Sequence, residues 1–167
     1  SPYQLNDTSL LKYIHQRKQL TDSVANIVFT KRAVADKYLG FFGEMAAYDN
    51  LFWKLYMLVL RVNIYNFNYE KSVSFVRNNF DTALLDNICQ DKFLISDFYK
   101  SGFINSEYLK YLVKLDYLQD STLRNKKGYR FEKANRVYNG KVRELVLYKL
   151  MESGVYFSNS FAELNEY

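Results

Sequence analysis

The stretch FLISDFYKSGFINSEYLKYLVKLDYLQ, residues 93–119, contains two helical patterns that meet at a single glycine. Ser96 can cap a short helix that Gly102 ends. A longer helix is predicted over residues 107–117, because apolar side chains recur there at helical spacing. The apolar residues of its predicted inward face are Leu109, Leu112, Val113 and Leu115. The sequence therefore predicts two consecutive helices joined by a tight turn, an arrangement known as helix-turn-helix.

The longer helix, for which Asn105 or Ser106 is the predicted cap, also has a polar face. Residues spaced three, four and seven apart share one side of a helix, and here that side lies opposite the apolar one. Such an exposed face fits the major groove of DNA, where long polar side chains reach bases and phosphates, but an ordinary solvated surface has the same pattern. The residues of this predicted face are Glu107, Lys110, Tyr111 and Lys114.

Positive charge is concentrated just after this helix. Residues 118–123 and 129–133 have strand-like composition and flank RNKKG, residues 124–128, which suits a hairpin. Residues 121–143 contain eight basic side chains and one acid, whereas the whole chain has a formal net charge of only +5. A concentrated basic patch neutralises phosphates, while scattered lysines mainly keep a protein soluble. The eight are Arg124, Lys126, Lys127, Arg130, Lys133, Arg136, Lys141 and Arg143.

With two helices, a tight turn and a basic hairpin in this order, residues 94–133 resemble the winged helix-turn-helix superfamily of DNA-binding modules. The helix before the turn is short for that pattern, which leaves a different helical packing open. The resemblance implies that double-stranded DNA is the partner. It also implies a recognition helix containing Ser106, Glu107, Lys110, Tyr111 and Lys114, and a wing containing Arg124, Lys126, Lys127 and Arg130. Lys133 completes the predicted DNA-binding set.

The first ninety residues are predicted to be helical. One helix runs from Asp7 or Thr8 to about Leu20, and a second runs from Asp22 to a stop at residues 40–43, where two glycines occur. The almost continuously apolar stretch from Glu44 to Leu60 predicts a helix buried on most sides. Residues 63–69 alternate weakly, as a strand or a loop would, and helical spacing resumes over 73–88.

These patterns predict a mainly α fold, in which an N-terminal helical bundle is followed by a winged-helix module with a small β-hairpin. The predicted regions are a bundle or dimerisation region (3–90), a DNA-binding region (91–154) and a C-terminal extension (155–167). The last helix of the DNA-binding region is predicted to contain residues 142–150 and to end at Ser153 and Gly154. The extension is expected either to dock onto the domain or to begin a second module.

Composition narrows the classes of function. Cys89 and His15 are each the only residue of their type, so we expect no disulfide within the chain, no zinc site and no cofactor. The low cysteine content favours a cytoplasmic location. The most apolar run, residues 51–60, is shorter than the roughly 20 residues of a membrane span, so no membrane association is expected. We find neither a nucleophile beside a base nor a glycine-rich phosphate loop, and therefore predict no enzymatic activity.

Two hypotheses remain at this point. In the first, the chain is a non-enzymatic DNA-binding protein, either a monomer or a homodimer, that acts in transcription regulation, replication or mobile-element control. In the second, it is a helical protein–protein interaction module whose basic patch is incidental. The aromatic residues predicted to be exposed for that second role are Tyr65, Phe67 and Tyr69.

Overall fold

The computed structural model describes residues 5–31 and 36–157, with side chains at 5–28 and 38–152. In these ranges the chain forms α-helices and two 3-10 helices, and no β-strand occurs in them. The 3-10 helices are Asp91–Ile95 and Ser121–Asn125. The α-helices are α1 (Asp7–Lys31), α2 (Asp36–Ile64), α3 (Tyr69–Arg77), α4 (Thr82–Asp86), α5 (Asp97–Lys100), α6 (Phe103–Gln119), α7 (Tyr129–Val137) and α8 (Gly140–Phe157).

Helices α2 and α6 form the centre of the fold. They pack against each other, and α6 also contacts α3, α5, α7 and α8. The predicted helix over residues 44–60 is present within α2, and its burial is confirmed from Phe52 to Val59, where Phe52, Leu55, Leu58 and Val59 are almost completely buried. Residues 44–47 lie outside the core and are not buried as predicted. A single cluster of buried side chains extends from Leu10 on α1 to Val146 on α8. The core therefore continues across residue 90, where the sequence had suggested a boundary between regions.

The two helices predicted around Gly102 are present as α5 and α6. The Ser96 hydroxyl oxygen accepts a hydrogen bond from the backbone N–H of Tyr99 at 3.0 Å and caps α5 as predicted. Gly102 has φ +79°, a left-handed conformation that glycine adopts without a steric penalty, and it directly precedes α6. The longer helix thus begins at Phe103, and the prediction of Asn105 or Ser106 as its cap is wrong.

The N-terminal helix boundaries differ from the predicted ones. Helix α1 continues through residues 20–22, where the Thr21 hydroxyl donates to the carbonyl of Arg17 at 3.0 Å within the helix. Gly40 and Gly43 lie inside α2, so the predicted stop there is wrong. A glycine in a helix interior costs only about 1 kcal/mol relative to alanine. That cost is smaller than the gain from continuing a helix whose later turns, from Phe52 to Val62, are packed into the core.

Other helix boundaries also differ from the predicted ones. Residues 65–68 form a turn rather than a strand, and the helical pattern over 73–88 is divided between α3 and α4. Helix α8 continues past Ser153 and Gly154 to Phe157, so the predicted end there is wrong. The predicted docking of the C-terminal extension concerns residues 155–167, of which residues 158–167 lie outside the described part of the chain.

One part of the helical pair α1 and α2 lies outside the core. We call residues 15–28 of α1 and 38–47 of α2 the arm; none of its side chains is fully buried. Large apolar side chains are nevertheless frequent there, which is unusual for a surface that faces only water. The exposed ones are Leu20, Val24, Ile27, Val28, Tyr38, Phe41 and Phe42.

Candidate nucleic-acid interface

The predicted recognition face of α6 packs against α2. Tyr111 is only 5% exposed, and the ammonium group of Lys114 donates to the backbone carbonyls of Val62 and Tyr65 at the end of α2. Glu107 accepts a hydrogen bond from the side-chain amide of Asn63 at 2.9 Å. Lys110 remains exposed. The prediction that the whole face is free to enter a DNA groove is therefore wrong.

The reason lies in the position of α6 between other helices. Its predicted inward residues Leu109 and Val113 are buried as expected, but Ile104 and Tyr108 are buried as well. A helix contacted on several sides buries a wide arc of its surface, and Tyr111 falls within that arc. Burial raises the pKa of the Tyr111 phenol to about 12 and lowers the pKa of the Lys114 ammonium.

The predicted hairpin is replaced by helical structure. Residues 118 and 119 complete α6, and the chain then turns through the 3-10 helix Ser121–Asn125. The Asp120 carboxylate caps this turn, accepting from the Thr122 backbone N–H at 2.9 Å. Gly128, with φ +69°, precedes α7. The two strands predicted at 118–123 and 129–133, and with them the wing, are wrong: Asp120 caps a new helical turn, and Gly128 directly precedes α7.

Two of the basic residues predicted to bind DNA are held by carboxylates. Lys133 pairs with Asp116 at 2.7 Å, and both side chains are about four-fifths buried. Lys126 pairs with Glu132 at the surface. Their positive charges are partly neutralised, so these two lysines contribute less to a field that attracts polyanions.

A groove brings together basic residues from the two sequence segments assigned to DNA binding. Its volume is about 570 Å³, and it lies between the end of α2, α6 and the chain from the 3-10 helix to α7. Lys110 and Lys114 come from α6, and Arg124 and Arg130 come from the segment after it. The other residues that line this basic groove are Asn63, Asn66, Phe67, Asn68, Val113, Tyr117 and Leu118.

Two of the basic side chains in the basic groove have partners within the fold, and two form no ion pair in the described residues. Lys114 is bonded to carbonyl groups of α2, and Lys110 pairs with Glu107 on the preceding turn. Arg124 and Arg130 are exposed, and neither forms an ion pair within the part of the chain that the structure describes. The groove lining includes four basic side chains and no carboxylate. Its positive potential is therefore concentrated at the two arginines.

The structure thus divides the predicted DNA-binding residues. Lys110, Lys114, Arg124 and Arg130 line one groove. The remaining predicted residues do not line it: Ser106 is half-buried in the first turn of α6, Lys127 is exposed elsewhere on the surface, and the others are Glu107, Tyr111, Lys126 and Lys133.

Sequence reasoning missed the asparagines that complete the groove. Asn63, Asn66 and Asn68 lie at the end of α2 and in the turn that follows. The Oδ1 atom of Asn63 is buried and has no hydrogen-bond partner in the described residues. The repeated asparagines of residues 63–68 were visible as a pattern, but only the packing of α2 on α6 brings them near the two arginines.

No protein-family model, curated protein or solved structure matches this chain. Among the described residues, no group of three or more histidine, cysteine, aspartate or glutamate side chains could hold a metal ion. In residues 5–31 and 36–157, no helix is both long enough and apolar enough to cross a lipid bilayer.

Proposed function

We propose that this chain is a non-enzymatic DNA-binding protein that holds the sugar–phosphate backbone of double-stranded DNA in the basic groove. The observation that carries this proposal is the convergence of four basic side chains and three asparagines in a groove with no carboxylate in its lining. Arg124 and Arg130 supply the phosphate contacts, because they are exposed and have no acidic partner in the described chain. Control of transcription, replication or a mobile element is the role we infer for such a protein.

The mode of binding differs from insertion of a recognition helix. Lys114 and Tyr111 are engaged within the fold, so Lys110 is the exposed basic residue that α6 presents to the groove. Contacts to phosphates position a protein on DNA without reading its sequence. We therefore expect affinity that depends strongly on salt and weakly on base sequence.

The test is a salt titration of binding to a random-sequence DNA duplex, followed by fluorescence anisotropy. The variant Arg124→Ala/Arg130→Ala should bind more weakly. Its plot of log affinity against log salt concentration should be shallower by about 2, because roughly 0.9 of slope is lost with each phosphate contact. The matched control is Lys92→Ala/Lys141→Ala, which removes the same charge from exposed residues outside the groove lining.

The control should keep the wild-type slope. If both double variants reduce the slope equally, binding follows net charge and the groove is not the site. If neither the wild type nor the variants bind the duplex at low salt, the proposal of DNA binding fails.

A second candidate function is self-association through the arm. The aromatic surface first suggested for a protein partner is not available as predicted, because Phe67 is only 8% exposed and packs edge-on against Phe75. The arm instead exposes Leu20 by 66% and Phe41 by 50%. The arm contains two lysine or arginine side chains and two acidic ones, so two copies of the arm meet without net repulsion although the chain is basic.

The arm suits a symmetric contact for a further reason. It exposes aliphatic residues on α1 and aromatic residues on α2, and a two-fold axis places one set against the other. Sedimentation equilibrium of Val24→Glu/Phe41→Glu should show a monomer where the wild type is a dimer. Phe103→Glu, at an exposed position on α6, serves as control and should leave the dimer intact. A monomeric wild type would refute this candidate.

A further inference from the structure

A second cavity lies between α1 and α2, near the base of the arm. Its volume is about 410 Å³, within the range of small-molecule sites, and Asn79, in the turn after α3, contributes to its wall. Asn63 of the basic groove is nine residues from Lys54 of this cavity, which is two and a half turns of α2. The cavity and the groove are therefore on opposite sides of that helix, and the two sites can be tested independently.

One part of the cavity wall is apolar. It is formed by Leu11 and Ile14 of α1 and by Leu51 and Trp53 of α2. The guanidinium of Arg17 lies 3.6 Å from the centre of the Trp53 ring, and Tyr13 packs against the same indole with ring centres 6.0 Å apart. These contacts fix the orientation of the indole. A planar apolar group can therefore pack against a wall that is already in place.

The polar part of the wall has an unbalanced positive charge. Its ionisable residues are His15, Lys18, Asp22 and Lys54. Lys18 and Asp22 pair one turn apart on α1, so the charge of Asp22 is already compensated. Lys54 is half-buried and forms no ion pair or hydrogen bond in the described residues. Burial lowers the pKa of Lys54, and the nearby charge of Lys18 lowers it further.

We propose that this cavity binds a small monovalent organic anion, whose charged group pairs with Lys54 and whose planar apolar part lies against Leu11, Ile14 and Trp53. Taking a lysine ammonium out of water without a partner is unfavourable, and an anion would supply that partner. A cationic ligand would meet two lysines. Lys18, Asp22 and Lys54 together carry a formal net charge of +1, which matches one negative charge on the ligand.

The probes for the test are anilinonaphthalene sulfonate, a planar monoanion, and N-phenylnaphthylamine, which has the same ring system without the sulfonate. Trp53 is the only tryptophan of the chain, so energy transfer from it reports a probe bound in its neighbourhood. The wild type should bind the sulfonate more tightly than the neutral amine. Lys54→Met should weaken binding of the sulfonate by about tenfold and leave binding of the neutral amine unchanged, because only the charge interaction is lost.

Two further variants distinguish a specific effect of the Lys54 charge from the loss of any positive charge. Lys54→Arg keeps the positive charge and should retain sulfonate binding, while Lys12→Met removes a charge from an exposed position outside the cavity lining and should also retain it. Lys54→Met removes a half-buried charge, so it should fold at least as stably as the wild type. Equal affinity of the wild type for both probes, or unchanged sulfonate binding by Lys54→Met, would overturn the proposal.

Discussion

The ammonium nitrogen of Lys114 on α6 donates to the backbone carbonyl of Tyr65 just past the end of α2, at 2.6 Å. The same ammonium contacts the carbonyl of Val62. The last carbonyl groups of a helix lack partners within the helix and carry partial negative charge, so a cation at this position stabilises the helix end. A lysine that the sequence suggested for DNA contact thus joins the two central helices.

Replacing this lysine should destabilise the fold. Lys114→Met preserves most of the apolar stem but leaves the two carbonyl groups without their donor. We expect the free energy of unfolding to fall by about 1–3 kcal/mol. Urea denaturation followed by circular dichroism measures this change. The matched variant Lys110→Met, which loses only a surface ion pair to Glu107, should change stability by less than about 1 kcal/mol.

The stability of the fold should also depend on the side chain that caps α5. Ser96 is fully buried; its hydroxyl donates to Asp49 of α2 and accepts from the N–H of Tyr99. Ser96→Ala removes both hydrogen bonds and should lower the free energy of unfolding by about 1–3 kcal/mol in thermal or urea denaturation. Ser74→Ala, at an exposed position on α3, should have almost no effect. Equal effects of the two changes would show that the cap is unimportant.

Two glycines should respond to alanine in opposite directions. At Gly102, with φ +79°, an added Cβ lies 2.8 Å from the Cγ atom of Lys149, and the backbone conformation itself is unfavourable for alanine. We expect Gly102→Ala to destabilise the protein by about 1 kcal/mol or more. At Gly40, inside α2, nothing lies within 4 Å of an added Cβ. Gly40→Ala should raise the melting temperature, because alanine favours helix by about 1 kcal/mol.

Buried tyrosines predict unfolding at alkaline pH. Burial raises the pKa of Tyr111 to about 12 and raises the pKa values of Tyr99 and Tyr138 as well. As pH rises above about 10, these phenols ionise first in the unfolded chain, so stability is lost between the unfolded and folded pKa values. Each such tyrosine contributes roughly 1.4 kcal/mol per pH unit in that window.

Denaturation midpoints measured at intervals from neutral to alkaline pH test this dependence. Stability should be flat with respect to these phenols below about pH 9 and should fall steeply above pH 10. Tyr111→Phe has a similar shape and should make the fall less steep. A wild type whose stability is unchanged up to pH 12 would contradict the expected role of the buried phenols.

Helix content was readable from the sequence, but the surroundings of individual helices were not. The apolar run within residues 44–60 and the apolar spacing within residues 107–117 correctly indicated helices, because side chains three and four residues apart share a face. The same spacing wrongly placed Tyr111 and Lys114 in solvent. Periodicity identifies opposite faces of a helix, but it does not say how many neighbouring helices cover them.

The hairpin illustrates a local limit. Residues 118–133 contain aromatic, threonine and glycine residues that suit strands and a turn. The intrinsic preferences of such residues for strand over helix amount to only small differences in free energy. In the structure Asp120 and Gly128 begin helical turns, and the pairing of Lys133 with Asp116 joins α7 to α6. That contact joins residues 17 positions apart, and single-segment patterns do not include such contacts.

The sequence alone determined that this chain is mainly helical, that the apolar run ending at Leu60 belongs to a core helix, that Ser96 caps a helix and that positive charge is concentrated after residue 120. These properties depend on neighbours along the chain, through side-chain spacing, backbone capping and charge. Only the tertiary structure decided that α6 is central, that Lys114 is engaged by α2, and that Arg124 and Arg130 meet asparagines from residues 63–68. Those properties depend on which surfaces of distant helices bury each other, and burial is shared by the whole core rather than set by any one segment.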